Sequence, residues 1–177
     1  MKKKKLPEEI LKELCCYYNL TLSCAESCTG GLLSARIVKV PGSSSYFMGS
    51  IVAYSNKVKE KLLKVKKETL EKYGAVSEKC ALEMVLGVTE LLNTNLGISI
   101  TGIAGPGGET PDKPVGLTYI GIKVLDKVEV FKFIFKSKEP DPVKARNDRR
   151  KKAAKKALVL LNTLIKKYFE KENSTCL

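Results

Sequence analysis

The sequence predicts an α/β fold: a three-layer α/β/α sandwich with a mixed, mostly parallel sheet of about five strands. Three observations carry that expectation. Short apolar runs alternate with longer segments whose apolar residues recur at helical spacing. Two of those runs end in glycine-rich turns, Cys24-Ala25-Glu26-Ser27-Cys28-Thr29-Gly30-Gly31 and Gly102-Ile103-Ala104-Gly105-Pro106-Gly107-Gly108. Finally, Val115 to Val124 and Val128 to Phe135 are joined by only Leu125-Asp126-Lys127. That is too short for a parallel crossover, so the pair forms a hairpin and one strand runs antiparallel. At 177 residues, with 44% apolar content, the chain suits one domain over 1–177.

The elements follow in order. Residues 7–19 read as a helix: Pro7 suits its first position, Glu8 and Glu9 its positive end, and Leu11, Leu14 and Tyr18 share a side. Asn19 ends it, and Leu20 to Leu22 reads as the first strand. Leu33, Ile37 and Val38 give the helix after the Ser27 turn one apolar face, closed by Pro41-Gly42. Ser43-Ser44-Ser45 is a small polar loop, either a phosphate-binding set of hydroxyls or a plain connector. Tyr46 to Tyr54 is the second strand, bent at Gly49-Ser50. Ser55-Asn56 caps a Lys-rich helical stretch, and Ser77 with Glu78 opens another helix. The buried stripe of the latter is Ala81, Met84, Val85, Val88, Leu91 and Leu92. Ile98-Ser99-Ile100-Thr101 is the third strand. Asp141-Pro142 starts a long last helix with Ala154, Ala157, Leu158, Leu161, Leu164, Ile165 and Tyr168 on its apolar side; the tail after Glu170 is expected to fray.

Composition excludes several chemistries. Histidine is absent, which removes Ser-His-Asp and Cys-His catalysis and every His-ligand metal site within this chain. A hydrolase built from it must activate its nucleophile with Lys, Tyr or a carboxylate. No metal and no cofactor is expected. Six cysteines (15, 16, 24, 28, 80, 176) form no CxxC framework and read as reduced thiols. Met1-Lys2-Lys3-Lys4-Lys5 is followed by no apolar signal core, and no run of ~18 apolar residues exists, so the expected location is the cytoplasm and no membrane partner is expected. Cys176-Leu177 is too short for a prenylation box. Net charge is +13, carried by 28 Lys and only four Arg (36, 146, 149, 150). A lysine coat binds nucleic acid or simply solvates the surface. Trp is absent and aromatics are few, so an anionic small molecule ranks above nucleic acid as the partner.

A strand entering a helix through a tight turn leaves the first helical N–H groups free for an anion or an oxyanion. Ser27 stands at that corner as a nucleophile, or as a helix cap. Tyr54, at the end of the second strand, and Lys59, five residues on, converge on it if the two strands are neighbours. A neutral Lys amine can take the Ser proton, provided desolvation lowers its pKa, and a Tyr hydroxyl can relay or position it. The N–H groups of Cys28, Thr29 and Gly30 would hold the oxyanion. Cys28 is the alternative nucleophile, and Glu26 a salt-bridge partner or an anchor for Lys59 or the turn. Arg146 and Arg150 share a helix face, suited to a phosphate or carboxylate or to an ion pair; Arg149 points a quarter turn away, toward solvent.

Ala25-Glu26-Ser27-Cys28-Thr29-Gly30-Gly31, Pro41-Gly42-Ser43-Ser44, Tyr54-Ser55-Asn56-x-x-Lys59, Gly74-Ala75-Val76-Ser77, Gly102 to Gly108 and Lys113-Pro114-Val115-Gly116 occur in that order. The set resembles the C-terminal domain of the competence/damage-inducible protein CinA, which also occurs alone as nicotinamide-nucleotide amidohydrolase. The resemblance covers about residues 8 to 167. It implies hydrolysis of the carboxamide of nicotinamide mononucleotide to the nicotinic acid form with release of ammonia, without a metal. It gives Ser27 as nucleophile served by Tyr54 and Lys59. It implies a substrate site drawn from Glu26, Cys28, Thr29, Gly30, Ser43, Ser44, Gly102, Ala104, Gly105, Arg146 and Arg150, and homo-oligomers, dimers first. Larger relatives of this type carry an N-terminal nucleotide-pyrophosphatase domain, which this chain, beginning close to the motif, is not expected to hold. Glu109 stands where the family has a small residue, and 136–143 lacks its usual glycine. Two other functions stay open at this point: an amidase for another small amide, and a non-catalytic basic module for nucleotides or nucleic acid.

Overall fold

The computed structural model describes residues 5–175, with side chains through 170. In chain order the elements are α1 (Pro7–Tyr17), β1 (Leu22–Glu26), α2 (Leu32–Val38), β2 (Phe47–Val52), α3 (Asn56–Leu63), α4 (Lys67–Tyr73), α5 (Glu78–Leu91), β3 (Leu96–Gly102), β4 (Leu117–Val124), β5 (Lys127–Ile134) and α6 (Pro142–Thr175). The sheet order is β2-β1-β3-β4-β5. β1 pairs in parallel with both β2 and β3, and β4 runs antiparallel to β3 and to β5, so β4 alone opposes the other four. This is the expected mixed sheet with helices on both faces.

All five residues of β1 are buried, because the strand is central and covered on both sides. One side is aliphatic: Leu22, Cys24, Ile98, Ile100, Ile120 and Ile122 meet Leu11, Leu33, Ile37, Ala154, Leu158, Leu161 and Ile165 from α1, α2 and α6. The other is made of small and hydroxyl residues, and α5 lies close upon it. A Cβ on Gly97 would fall 2.3 Å from Thr89 Cγ2, and one on Gly121 2.9 Å from the Ala81 carbonyl. Ser99 Oγ donates to that carbonyl at 2.6 Å and Ser23 Oγ to Val88 O at 3.3 Å, so neither buried hydroxyl is orphaned. Beyond α5, Leu63, Val65, Leu70, Met84 and Val88 form a second apolar cluster under α3 and α4.

Several expectations are corrected. The Lys-rich stretch after Ser55 is two helices, because Lys64 adopts a left-handed conformation (φ 56°) and turns Val65 into the core. Val38 and Leu91, expected on buried faces, are about half exposed, each at the C-terminal end of its helix. The helical backbone of α6 continues to Thr175, past the point where fraying was expected. The basic stretch 1–4 and the Cys176-Leu177 end lie outside the described residues. The five described cysteines are free thiols. Among the described residues no helix is long and apolar enough to cross a membrane.

Candidate active site

Ser27 follows β1 directly, and its N–H donates to the Ile100 carbonyl of β3 at 2.9 Å. The turn beyond it needs two left-handed residues in succession, Gly30 (φ 56°) and Gly31 (φ 93°), a pairing that side chains disfavour. Glu26, fully buried, builds the rest. Its Oε2 accepts from the N–H groups of Gly31 and Leu33, both at 3.0 Å; its Oε1 accepts from Ser34 N at 2.9 Å and from the Ser34 hydroxyl at 2.5 Å. The carboxylate therefore sits where a helix N-terminus attracts negative charge. This changes the reading of two residues. The helical donors expected to bind an anion are already taken by the chain's own Glu26, which is an anchor of the turn and lies apart from Lys59. Gly30 N–H, expected as an oxyanion donor, donates to Ser27 O at 3.1 Å. Among the described residues, the amides of Cys28 and Thr29 donate to no carbonyl or side-chain oxygen.

Lys59 comes from α3, whose N-cap Ser55 accepts from Val58 N at 3.3 Å. The side chain is 1% exposed. Its Nζ lies 3.2 Å from Ser27 Oγ, 2.7 Å from Ala53 O and 3.1 Å from Tyr54 O. Burial lowers its pKa below the usual 10.5, since the charged form loses its hydration, and among the described residues no carboxylate bonds it. A neutral amine has two N–H donors and one lone pair. The two carbonyls take the donors, and the lone pair is left for the Ser27 proton.

Tyr54 enters this group through its backbone. Its ring is 64% exposed, and its hydroxyl accepts from Arg146 Nη2 at 3.2 Å instead of standing between Ser27 and Lys59. Cys28 is buried, and burial pushes its thiol up to about 11 although Arg146 and Arg150 pull the other way. It is protonated near neutral pH, which weighs against it as the nucleophile.

The start of α6 reaches both glycine turns. Arg146 Nη1 donates to Gly105 O at 2.6 Å and Arg149 Nη1 to Ala104 O at 3.1 Å. Arg150 donates from Nε to Cys28 O at 3.0 Å, from Nη2 to Thr29 O at 2.7 Å, and from Nη1 to Asn147 Oδ1 at 2.8 Å. These arginines thus bond mainly carbonyls, and among the described residues none of the three is within salt-bridge distance of an Asp or Glu, although Arg149 acts on Asp148 electrostatically. Arg149 corrects an expectation: it faces the site, because the second glycine turn extends over the helix start and meets it there. Its Nε is buried without a partner.

A model of the CinA C-terminal domain matches residues 3–165. The chain belongs to the CinA C-terminal domain family. A CinA-like protein of Fusobacterium nucleatum is 65% identical over 113 residues, 64% of this chain and 27% of that protein. A CinA-like protein of Dictyoglomus thermophilum is 56% identical over 117 residues, 66% of this chain and 28% of that protein. The chain thus spans under a third of the length of these curated relatives. A solved CinA superfamily protein from Enterobacter cloacae superposes with a TM-score of 0.84 at 26% identity, covering 93% of this chain and 96% of that one. The competence/damage inducible protein CihA from Agrobacterium tumefaciens gives 0.81 at 32% identity, covering 92% and 99%.

In this CinA domain the carboxyl ends of β1, β2 and β3 carry Ser27, the Ala53–Tyr54 carbonyls and the second glycine turn, so they gather at one end of the sheet. Gly102 is there for packing: a Cβ would meet Thr118 Oγ1 at 2.7 Å and Leu117 O at 2.8 Å. Ser43 and Ser44 do not join them. They form a 3₁₀ turn just before β2, where Tyr46 O accepts from Leu22 N at the start of β1. A parallel crossover returns the chain to the opposite end of the sheet before the next strand begins, about 13 Å of strand away. Sequence reasoning missed Ala53 and Asn147, whose contributions are a carbonyl and a neighbouring amide oxygen, neither marked by residue type.

Proposed function

We propose that the chain is an amidohydrolase that converts nicotinamide mononucleotide to nicotinic acid mononucleotide and ammonia. The observation that carries this reading is the buried Lys59 amine 3.2 Å from the Ser27 hydroxyl, held by two carbonyls with no neutralising carboxylate. Family membership supports it as well.

Lys59, neutral, takes the Ser27 proton as Oγ attacks the carboxamide carbon. The carbonyl oxygen becomes an oxyanion beside the amides of Cys28 and Thr29. The Lys59 ammonium returns the proton to the departing nitrogen, the C–N bond breaks, and ammonia leaves an ester on Ser27. Water, deprotonated by the same amine, attacks that ester; the C–Oγ bond breaks, the Lys59 ammonium returns the proton to Ser27 Oγ, and the acid is released. Arg146 and Arg149, beside the second glycine turn, supply positive charge for a substrate with one phosphate.

The test is ammonia release from a panel: nicotinamide mononucleotide, its dephosphorylated nucleoside, free nicotinamide and an unrelated small amide. The expected result is turnover of the mononucleotide well above the others. Turnover of the unrelated amide alone would move the substrate class, and no ammonia from any would overturn the reading.

A further inference from the structure

The turn holding Ser27 has its amides divided in an orderly way. Those of Gly31, Leu33 and Ser34 go to Glu26, and that of Gly30 goes to Ser27 O. Among the described residues, the Cys28 and Thr29 N–H groups beside Ser27 donate to no oxygen, and that of Cys28 lies against its own thiol sulfur. What fixes the direction of each is the carbonyl of the same peptide unit, because in a trans peptide the C=O and N–H point in opposite directions. The unit carrying the Cys28 N–H has Ser27 O, held by Gly30 N–H. The unit carrying the Thr29 N–H has Cys28 O, held by Arg150 Nε at 3.0 Å.

We infer that Arg150 is a positioning residue for the oxyanion hole: by binding the Cys28 and Thr29 carbonyls it aims the Thr29 amide into the site and strengthens it as a donor. This rests on the serine-amidase reading above. Three of its nitrogens are each engaged, with Nε and Nη2 on two successive carbonyls and Nη1 on Asn147 Oδ1. The planar fork matches the two carbonyls as a lysine ammonium cannot. A cation on a peptide oxygen also polarises that peptide, so the N–H at its other end carries more positive charge where the oxyanion forms. Gly30 belongs to the same device. Its Cβ would lie 3.4 Å from Arg150 Nη2, in the space where the guanidinium meets the turn. Arg150 was expected to contact a phosphate or carboxylate of the substrate or to form an ion pair; its donors hold the turn and Asn147.

The two roles separate in kinetics. A phosphate ligand lost by substitution raises KM and leaves kcat largely intact, whereas a lost oxyanion donor lowers kcat. Arg150→Met is expected to lower kcat for nicotinamide mononucleotide about 100-fold, with KM changed less than about threefold. Arg150→Lys, which keeps a charge but not the fork, is expected to fall between the methionine variant and the unmodified protein. The second readout needs no substrate: in an NMR spectrum the Thr29 amide signal is expected to move upfield in Arg150→Met as its peptide loses polarisation. A raised KM with unchanged kcat, or an unmoved Thr29 signal, would overturn the inference. Should the unmodified protein release no ammonia, the functional reading falls by itself, and the amide signal still decides the role of Arg150.

Discussion

Lys59→Met is expected to lower the rate of ammonia release by about 100- to 10,000-fold, the range of a lost general base. Methionine keeps an unbranched apolar stem, one atom shorter than lysine, and lacks the proton-accepting nitrogen. Ser27→Ala is expected to abolish turnover to background. The informative comparison is the double variant. In the proposed mechanism serine and lysine act as one unit, so removing both is expected to cost no more than removing the serine alone. Losses that multiply would mean the two residues work independently. The pH dependence follows from the lowered pKa of Lys59. In the proposed mechanism the active form is the uncharged amine, so kcat/KM is expected to fall as pH drops through the folded-state pKa and to level off above it. That acid limb is expected to vanish in Lys59→Met, and a limb that survives unchanged belongs to another group.

Glu26→Ala is expected to destabilise the fold by about 3 kcal/mol or more, since a buried donor left unpaired costs about 1–3 kcal/mol and this change orphans three backbone amides. The side chain accepts four hydrogen bonds and is fully buried, so water cannot readily replace it. Activity is expected to fall further than the loss of folded protein explains, because the same amides fix the left-handed Gly30–Gly31 corner behind Ser27. Glu26→Gln keeps one acceptor oxygen and is expected to lose less. Urea denaturation of the three proteins measures this; equal midpoints would show that the carboxylate is not what holds the turn.

The fold was readable from the sequence because its signals are local. Glycine turns after apolar runs mark strand ends, the short hairpin connection makes one strand antiparallel (Leu125-Asp126 only, since Lys127, expected in the connection, pairs with Val124), and the α6 stripe Ala154, Ala157, Leu158, Leu161 needs one apolar face. The Ser27–Lys59 approach was readable only on the condition that β1 and β2 be neighbours, which their parallel register satisfies. What escaped depends on geometry that residue type does not encode. Tyr54 offered its carbonyl, while its hydroxyl turned to Arg146. Ser43 and Ser44 look like a phosphate loop in the text, yet the crossover puts them at the far end of the sheet. Helical spacing placed Arg149 toward solvent, but spacing says nothing of a loop folding over the helix. Glu26 bonding forward to residues 31, 33 and 34 needs the turn already formed before the contact is visible.

The proposed catalysis depends on the Lys59 amine losing its proton within the accessible pH range. Its charge can be read directly by NMR titration of the protein labelled with ¹³Cε lysine, with the Lys59 signal assigned by its absence in Lys59→Met. The expected result is one signal among the 28 lysines titrating clearly below the usual 10.5, apart from the exposed majority. A Lys59 signal that titrates with the surface lysines would contradict it.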